Sequence, residues 1–196
     1  MRDENAHRSD DRHLGALLDR LDSTCVVVTA RENDKPYGCF ATFVTQASIQ
    51  PRRLAVFTSH ENLTHEVIER TGLLIVNVAP ADRGDWLRHF GYQSGRTTEK
   101  FEAISWQWGD NGCPVLSDAV GYVEGEVVAS VDAGDHTAQI VTPTTSRLLH
   151  PRQQPLRMMD AVARGLEEPN DPKHWRTLFD WAASKSSRTD KILPLP

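Results

Sequence analysis

Hydrophobic positions along this chain change their spacing several times, and each change marks an element. Leu14, Leu17, Leu18 and Leu21 recur at intervals of three and four, which predicts an amphipathic helix over about residues 10–21. Residues 1–9 before it are polar and read as a disordered tail. Thr24 to Thr29 is a continuous β-branched run, the pattern of a strand buried on both faces. Arg31 to Pro36 is a polar turn, followed by a second strand over Gly38 to Ser48 and a third over Leu54 to Thr58, with Pro51 between them. Asn62 opens a helix to about Arg70, and Gly72 stops it. Leu73 to Val78 is another buried strand, and Ala81 to Phe90 is expected to be helical with Trp86, Leu87 and Phe90 on one side.

Between Gly91 and Pro114 the pattern is irregular but carries Phe101, Trp106 and Trp108, which should pack the loop down. Val120 to Val131 and Thr137 to Thr142 predict a hairpin across Asp132 to Asp135. Pro155 to Leu166 and Pro172 to Ser184 read as helices, the second with Trp175, Leu178, Phe179 and Ala182 on one face. Short strands with helices inserted, lacking β-α-β alternation, favour a barrel over a doubly wound sheet.

Composition narrows the class. The chain has 196 residues, 39% hydrophobic and 25% charged, enough for one domain with a sizeable core. A formal net charge of -5 argues against a nucleic-acid footprint. No apolar run approaches the roughly 20 residues of a membrane helix, and the charged start (Arg2, Asp3, Glu4, Arg8) has no secretory h-region. A cytoplasmic protein is expected. Three cysteines, Cys25, Cys39 and Cys113, without a C-x-x-C pair, speak against a disulfide framework or structural zinc. Cys25 and Cys39 lie in strand-like sequence, where a small buried hydrophobe is the simplest role.

Two segments could carry chemistry. Thr58-Ser-His-Glu-Asn-Leu-Thr-His65 joins a buried strand to a helix start. A first helical turn has unpaired N–H groups and partial positive charge, so Ser59, Asn62 and Thr64 could complete a phosphate cradle there. The competing reading is that Asn62 only caps the helix, and Glu61 opposes an anion unless it points away. His60-Glu61 begins like a zinc-protease motif, but His65 comes one residue too late to share a helix face with His60. No metal is expected. The second segment is Gly134-Asp-His-Thr137, a tight turn that puts His136 at a strand start, where its imidazole could donate to a ligand carbonyl. No G-x-S-x-G elbow recommends a serine hydrolase.

Taken in order, these segments resemble the flavin reductase-like family of FMN-binding split barrels over about Leu21 to Leu148. The match is carried by Val26-Val-Val-Thr-Ala30, Gly38 through Pro51, Asn62-Leu-Thr-His-Glu-Val-Ile68, Gly72 through Val78, Lys100-Phe101, Gly112 through Leu116 and Gly134 through Thr137. The resemblance implies a mainly β, Greek-key split β-barrel over residues 10–150 with peripheral helices; a helical C-terminal extension over residues 151–196, expected to pack on it, lies outside the resemblance. The resemblance also implies a homodimer that binds FMN or FAD, reduces it with NADH or NADPH, and in many relatives supplies reduced flavin to a monooxygenase. Phe40, Ala41, Thr42 and Phe43 would line the flavin. Thr58, Ser59, Asn62, Leu63 and Thr64 would hold its phosphate, Lys100 would reach flavin or phosphate, and His136 would stand beside the isoalloxazine and nicotinamide.

The chain departs from the pattern at Phe40 and Phe43, where relatives carry Thr and Ser, at Arg52, where a second proline is usual, and at Val141, where glycine is usual. A flavin-binding or electron-transfer protein that does not oxidise NAD(P)H is therefore a second expectation. A barrel that has lost flavin for another ligand is a third.

Overall fold

The computed structural model describes residues 13–163 except 15, 16 and 19. The tail over 1–9, the start of the first helix, the helix at Pro172 to Ser184 and most of the 151–196 extension lie outside the described residues. Leu14, Leu17, Leu18 and Leu21 are helical, as their spacing predicts, and largely exposed. The compact unit that holds the candidate chemistry is Ser23–Ala161.

Among the described residues, nine strands form two sheets. The main sheet comprises β1 (Val26–Glu32), β2 (Lys35–Ala41), β3 (Val44–Ser48), β4 (Arg53–Ser59), β5 (Leu73–Val78), β8 (Gly121–Asp132) and β9 (His136–Leu148). Its order is β2-β1-β5-β8-β9-β4-β3 and every pairing is antiparallel. Consecutive strands β2 and β3 lie at opposite edges, so the chain crosses the mouth of the sheet between them: a split β-barrel. The single strand expected over Gly38 to Ser48 is thus two. It breaks at Thr42 and Phe43 because its halves pair with different neighbours, β1 and β4. Two short strands, β6 (Trp106–Trp108) and β7 (Pro114–Leu116), form the second sheet within the region expected to be irregular.

Helix α1 (Leu63–Thr71) packs over β1, β2 and β4, and Gly72 closes it in the left-handed conformation with φ 68°. Val67 and Ile68 of α1 join Val26, Val28, Ala30, Cys39, Val56, Leu74, Val76 and Val141 in the barrel core. β1 is buried on both faces over Val26–Ala30, as its unbroken β-branched run predicts. Its other face carries Thr29, whose hydroxyl donates to the Pro114 carbonyl at 2.6 Å and so ties β7 beneath the sheet.

The segment expected as an α-helix from Ala81 is instead irregular until Asp85, then a π-helical turn over Leu87–Tyr92. The wide turn frees the Phe90 carbonyl, which accepts from Lys100 Nζ at 2.9 Å; such turns are frequent at functional sites. Helix α2 (Met158–Ala163) is shorter at its start than expected, since residues 155–157 instead bridge Pro80 and Thr24. All three cysteines are buried. Burial pushes the Cys39 thiol up to about 11 and Cys113 up to about 12, which suits inert core hydrophobes. No described helix is long and apolar enough to cross a membrane.

Val141, in place of the usual glycine, is fully buried against a glycine on the neighbouring strand. A Cβ on Gly125 would fall 2.3 Å from Val141 Cγ1 and 2.9 Å from the Thr142 carbonyl. The bulk missing on β8 is supplied by β9. Gly125→Ala is expected to cost about 2 kcal/mol through overpacking, and Val141→Ala about as much through a cavity. In urea melts the double variant should lose less than the sum, and strict additivity would refute the direct packing.

Candidate functional site

β4 and β9 pair from Leu54↔Val141 to Ser59↔His136, so the end of one and the start of the other share a rim. Three residues past that rim, Asn62 begins α1 with extended backbone, its N–H donating to Ser59 O at 3.0 Å. Asn62 makes no side-chain capping bond, so the capping alternative is not what the chain adopts. The His65 amide donates to the Asn62 carbonyl at 2.9 Å. Leu63 and Thr64, at the first-turn positions whose amides a helix leaves open, line a cleft with Asn62.

Across that cleft lie Ser94, Thr98 and Lys100, with the Lys35–Glu99 ion pair and Glu61 on its margin. Lys100 is only 6% exposed. Its Nζ donates to the carbonyls of Gly38 at 3.1 Å and Phe90 at 2.9 Å, and no carboxylate among the described residues pairs with it. Burial holds its pKa below the ordinary lysine value. Lys100 thus sets a buried ammonium, solvated by two backbone carbonyls, in the lining of the cleft that also holds the first turn of α1.

At the other side of the β4–α1 corner stands His136. Its Nδ1 is 2.7 Å from Asp135 Oδ1, and its ring lies 5.7 Å from that of Phe43. The His136 partner holds the Asp135 carboxyl below its usual range. Phe43 is 45% exposed and edge-on to Phe57 at 6.5 Å. The two halves of the site are stitched together by His60: its amide donates to Asp135 O at 3.1 Å, and its Nε2 is 3.0 Å from Thr137 Oγ1.

The residues singled out from sequence fall into distinct environments. Asn62, Leu63 and Lys100 meet in the cleft; Thr64 lines it too, but is buried with its hydroxyl bonded to Cys39. Ser59 is half-buried and accepts the Glu61 amide at 3.4 Å. Thr58 is fully buried and faces inward, to His65 and Gln139. Phe40 also points inward, so it offers a ligand only backbone, whereas Ala41 and Thr42 are half-buried and Phe43 is a surface ring. Of the two phenylalanine departures, one is therefore a core residue.

Sequence reasoning missed Ser94, Thr98 and Gln139, and weighed His65 only as a metal ligand. Gln139 left a trace: it sits between Thr137 and Val141 on the inward face of β9, where a buried carboxamide demands partners.

The chain matches the family model described as a flavin reductase like domain over residues 18–166. It is 34% identical over 125 residues to a high molecular weight rubredoxin of Moorella thermoacetica, covering 63% of this chain and 55% of that protein. It is 30% identical over 113 residues to the ferric-chelate reductase (NAD(P)H) of Archaeoglobus fulgidus, covering 57% of this chain and 67% of that one. The chain spans between 23% and 67% of the length of such curated relatives. Among solved structures, the NADH:FAD oxidoreductase of Streptomyces globisporus C-1027, in complex with NAD and FAD fragments, superposes with a TM-score of 0.68 at 20% identity, covering 89% of this chain and 98% of that one. That likeness bears on the fold.

Burial and the neighbouring His60 and His136 hold the His65 pKa below its ordinary 6.5, against the opposing pull of Glu69 and Glu66. The unfolded chain therefore binds a proton at His65 that the folded chain resists, and stability falls as pH drops from about 6.5 through the folded value. Denaturant midpoints should decline between pH 7 and 5, and His65→Asn should flatten that decline. An unchanged slope in the variant would contradict the assignment.

Proposed function

This chain belongs to the flavin reductase-like family, and on that premise we propose that it is an oxidoreductase that binds FMN or FAD and reduces it with NADH or NADPH. The carrying observation is Lys100, a buried cation without a counter-charge, across a cleft from the open first turn of α1. A flavin phosphate is the anion that this pair of features suits. In this reading the amides of Leu63 and Thr64, the Asn62 carboxamide, the Ser59 hydroxyl and Lys100 hold the phosphate, while Thr58 supports the corner from beneath. The backbone of Phe40, Ala41, Thr42 and Phe43 runs beside the isoalloxazine, with the Phe43 ring against its edge.

The bound flavin supplies the hydride-transfer chemistry, which is the cofactor's own. What the chain adds is orientation and exclusion of water. Asp135 on Nδ1 fixes the His136 ring and leaves Nε2 to accept from a carboxamide N–H of the second reactant. The names of the relatives, an NADH:FAD oxidoreductase and an NAD(P)H ferric-chelate reductase, support nicotinamide nucleotides as reductant. We further propose a cytoplasmic homodimer whose flavin domain spans residues 10–150, with 151–196 as an extension, and which supplies reduced flavin to a monooxygenase.

Purified protein should show flavin absorbance or acquire it with micromolar FMN or FAD, and anaerobic NADH or NADPH should bleach it. Binding without bleaching would select an electron-transfer or binding role instead, and failure to bind either flavin would sink the proposal. Lys100→Met should weaken FMN at least tenfold and riboflavin, which lacks the phosphate, much less. His136→Ala should slow bleaching tenfold or more while leaving FMN affinity within about threefold; lost binding with an unchanged rate would contradict its role.

A further inference from the structure

A buried polar chain runs beneath the β4–α1 corner, and its proton directions are fixed by its deepest member. Gln139 is fully buried. Its carboxamide nitrogen donates to the carbonyls of Thr137 at 3.1 Å and Val56 at 2.6 Å, which leaves its oxygen to accept from Thr58 Oγ1 at 2.9 Å. With the Thr58 proton committed to Gln139, Thr58 Oγ1 can only accept from the next member, His65 Nδ1 at 3.0 Å. His65 is therefore held as the Nδ1–H tautomer. Its ring also stacks on His60 at 5.2 Å between centroids, and His60 bonds Thr137 and the Asp135 carbonyl.

His65 is the third residue of α1, directly after the amides of Leu63 and Thr64. One side chain thus clamps the helix's first turn to β4 and, through Thr58, to β9. Among the described residues, the other polar side chains of that turn bond elsewhere: Thr64 is tied to Cys39 on β2, and Glu66 to Arg96. Resting on the flavin reading above, we infer that His65 is a positioning residue for the phosphate end of the ligand, acting through the first turn of α1. It touches neither phosphate nor ring system; it sets where the open amides point relative to Lys100. Rotation of a helix start by a small angle moves both amides together, so its loss should fall on the phosphate and spare contacts to the isoalloxazine.

The charged and titratable groups around the ring are Glu66 and Glu69 on α1, His60 on the corner, and His136 with Asp135 on the β8–β9 turn. Glu66 is paired with Arg96, and Glu69 accepts from Ser130 at 3.4 Å.

The test compares FMN and riboflavin affinities, by fluorescence quenching at pH 7, for the wild type, His65→Ala and His65→Asn. Asn places an amide N–H where Nδ1–H stood. His65→Ala should weaken FMN tenfold or more and riboflavin less than threefold, and His65→Asn should restore FMN to within threefold of the wild type. Equal weakening of both flavins, unchanged FMN binding in the Ala variant, or an Asn variant as poor as Ala would each overturn the inference. A wild type that binds neither flavin would sink the flavin reading, and this inference with it. Should His65→Ala fail to fold, nitrogen-15 NMR of the wild-type imidazole decides: the Nδ1–H tautomer at neutral pH supports the chain, and the Nε2–H tautomer refutes it.

Discussion

The register between β4 and β9 is the constraint from which the candidate site follows. Pairing Ser59 with His136 brings a helix start and a tight turn to one rim, although 77 residues of chain separate them. A one-residue slip would turn Gln139 outward and point Ala138 and Ile140 into the barrel in place of Thr137 and Val141. The apolar cost of that slip is modest, since Ile140 is as large as Val141. The polar cost is larger, because Val56 O, Thr58 and His65 would lose the carboxamide that satisfies them. A buried polar group here specifies register more sharply than hydrophobicity could.

The cleft beside that rim gathers Lys100, the start of α1 and charged side chains of both signs. The partial charge at the start of α1 and the ammonium of Lys100 face one cleft, and each makes the other less comfortable. Glu99 and Glu66 are paired elsewhere, with Lys35 and Arg96, while Glu61 stands on the margin of the cleft. Two carbonyls solvate the ammonium without neutralising it. The π-helical turn belongs to this arrangement, since it turns one of those carbonyls towards Nζ. On the proposed reading, a bound phosphate would gain from both features at once.

Much of the frame was legible because local and tertiary demands agree. Leu73 to Val78 is a strand at its expected limits, and α1 runs between the Asn62 and Gly72 signals that mark it. The unbroken β-branched run at Val26 truly is buried on both faces. The failures share one cause, which is that partners distant in sequence override local preference. Gly38 to Ser48 has strand propensity throughout, yet must break at Phe43 because β1 and β4 lie at opposite ends of the sheet. Ala81 to Phe90 has a helical stripe, yet widens to free a carbonyl for a lysine ten residues on. Within the site, Asn62 and His136 announced themselves through a helix start and a turn. His65 stands out in the sequence only as a misplaced partner for His60 in a zinc motif, and only its bond to Thr58, itself held by Gln139, makes it otherwise.

The departures from the family's pattern sort by the same logic. Val141 is compensated by Gly125 in the core, and Phe40 is turned inward, so neither reaches the rim. Phe43 alone remains at the surface, braced edge-on by Phe57 and set against His136. Where relatives of this kind offer a hydroxyl, this chain offers the edge or face of a ring. A ring there cannot donate a hydrogen bond to a flavin, but it shields one side of the imidazole from water and gives a flat, uncharged reactant a surface to pack on. On the proposed reading, the phosphate end of the site would be built from backbone amides, a carboxamide and a lysine, whose chemistry is general for anions. The distinctive character of this chain is concentrated at the other end, between Phe43 and His136, where the second reactant would meet the flavin.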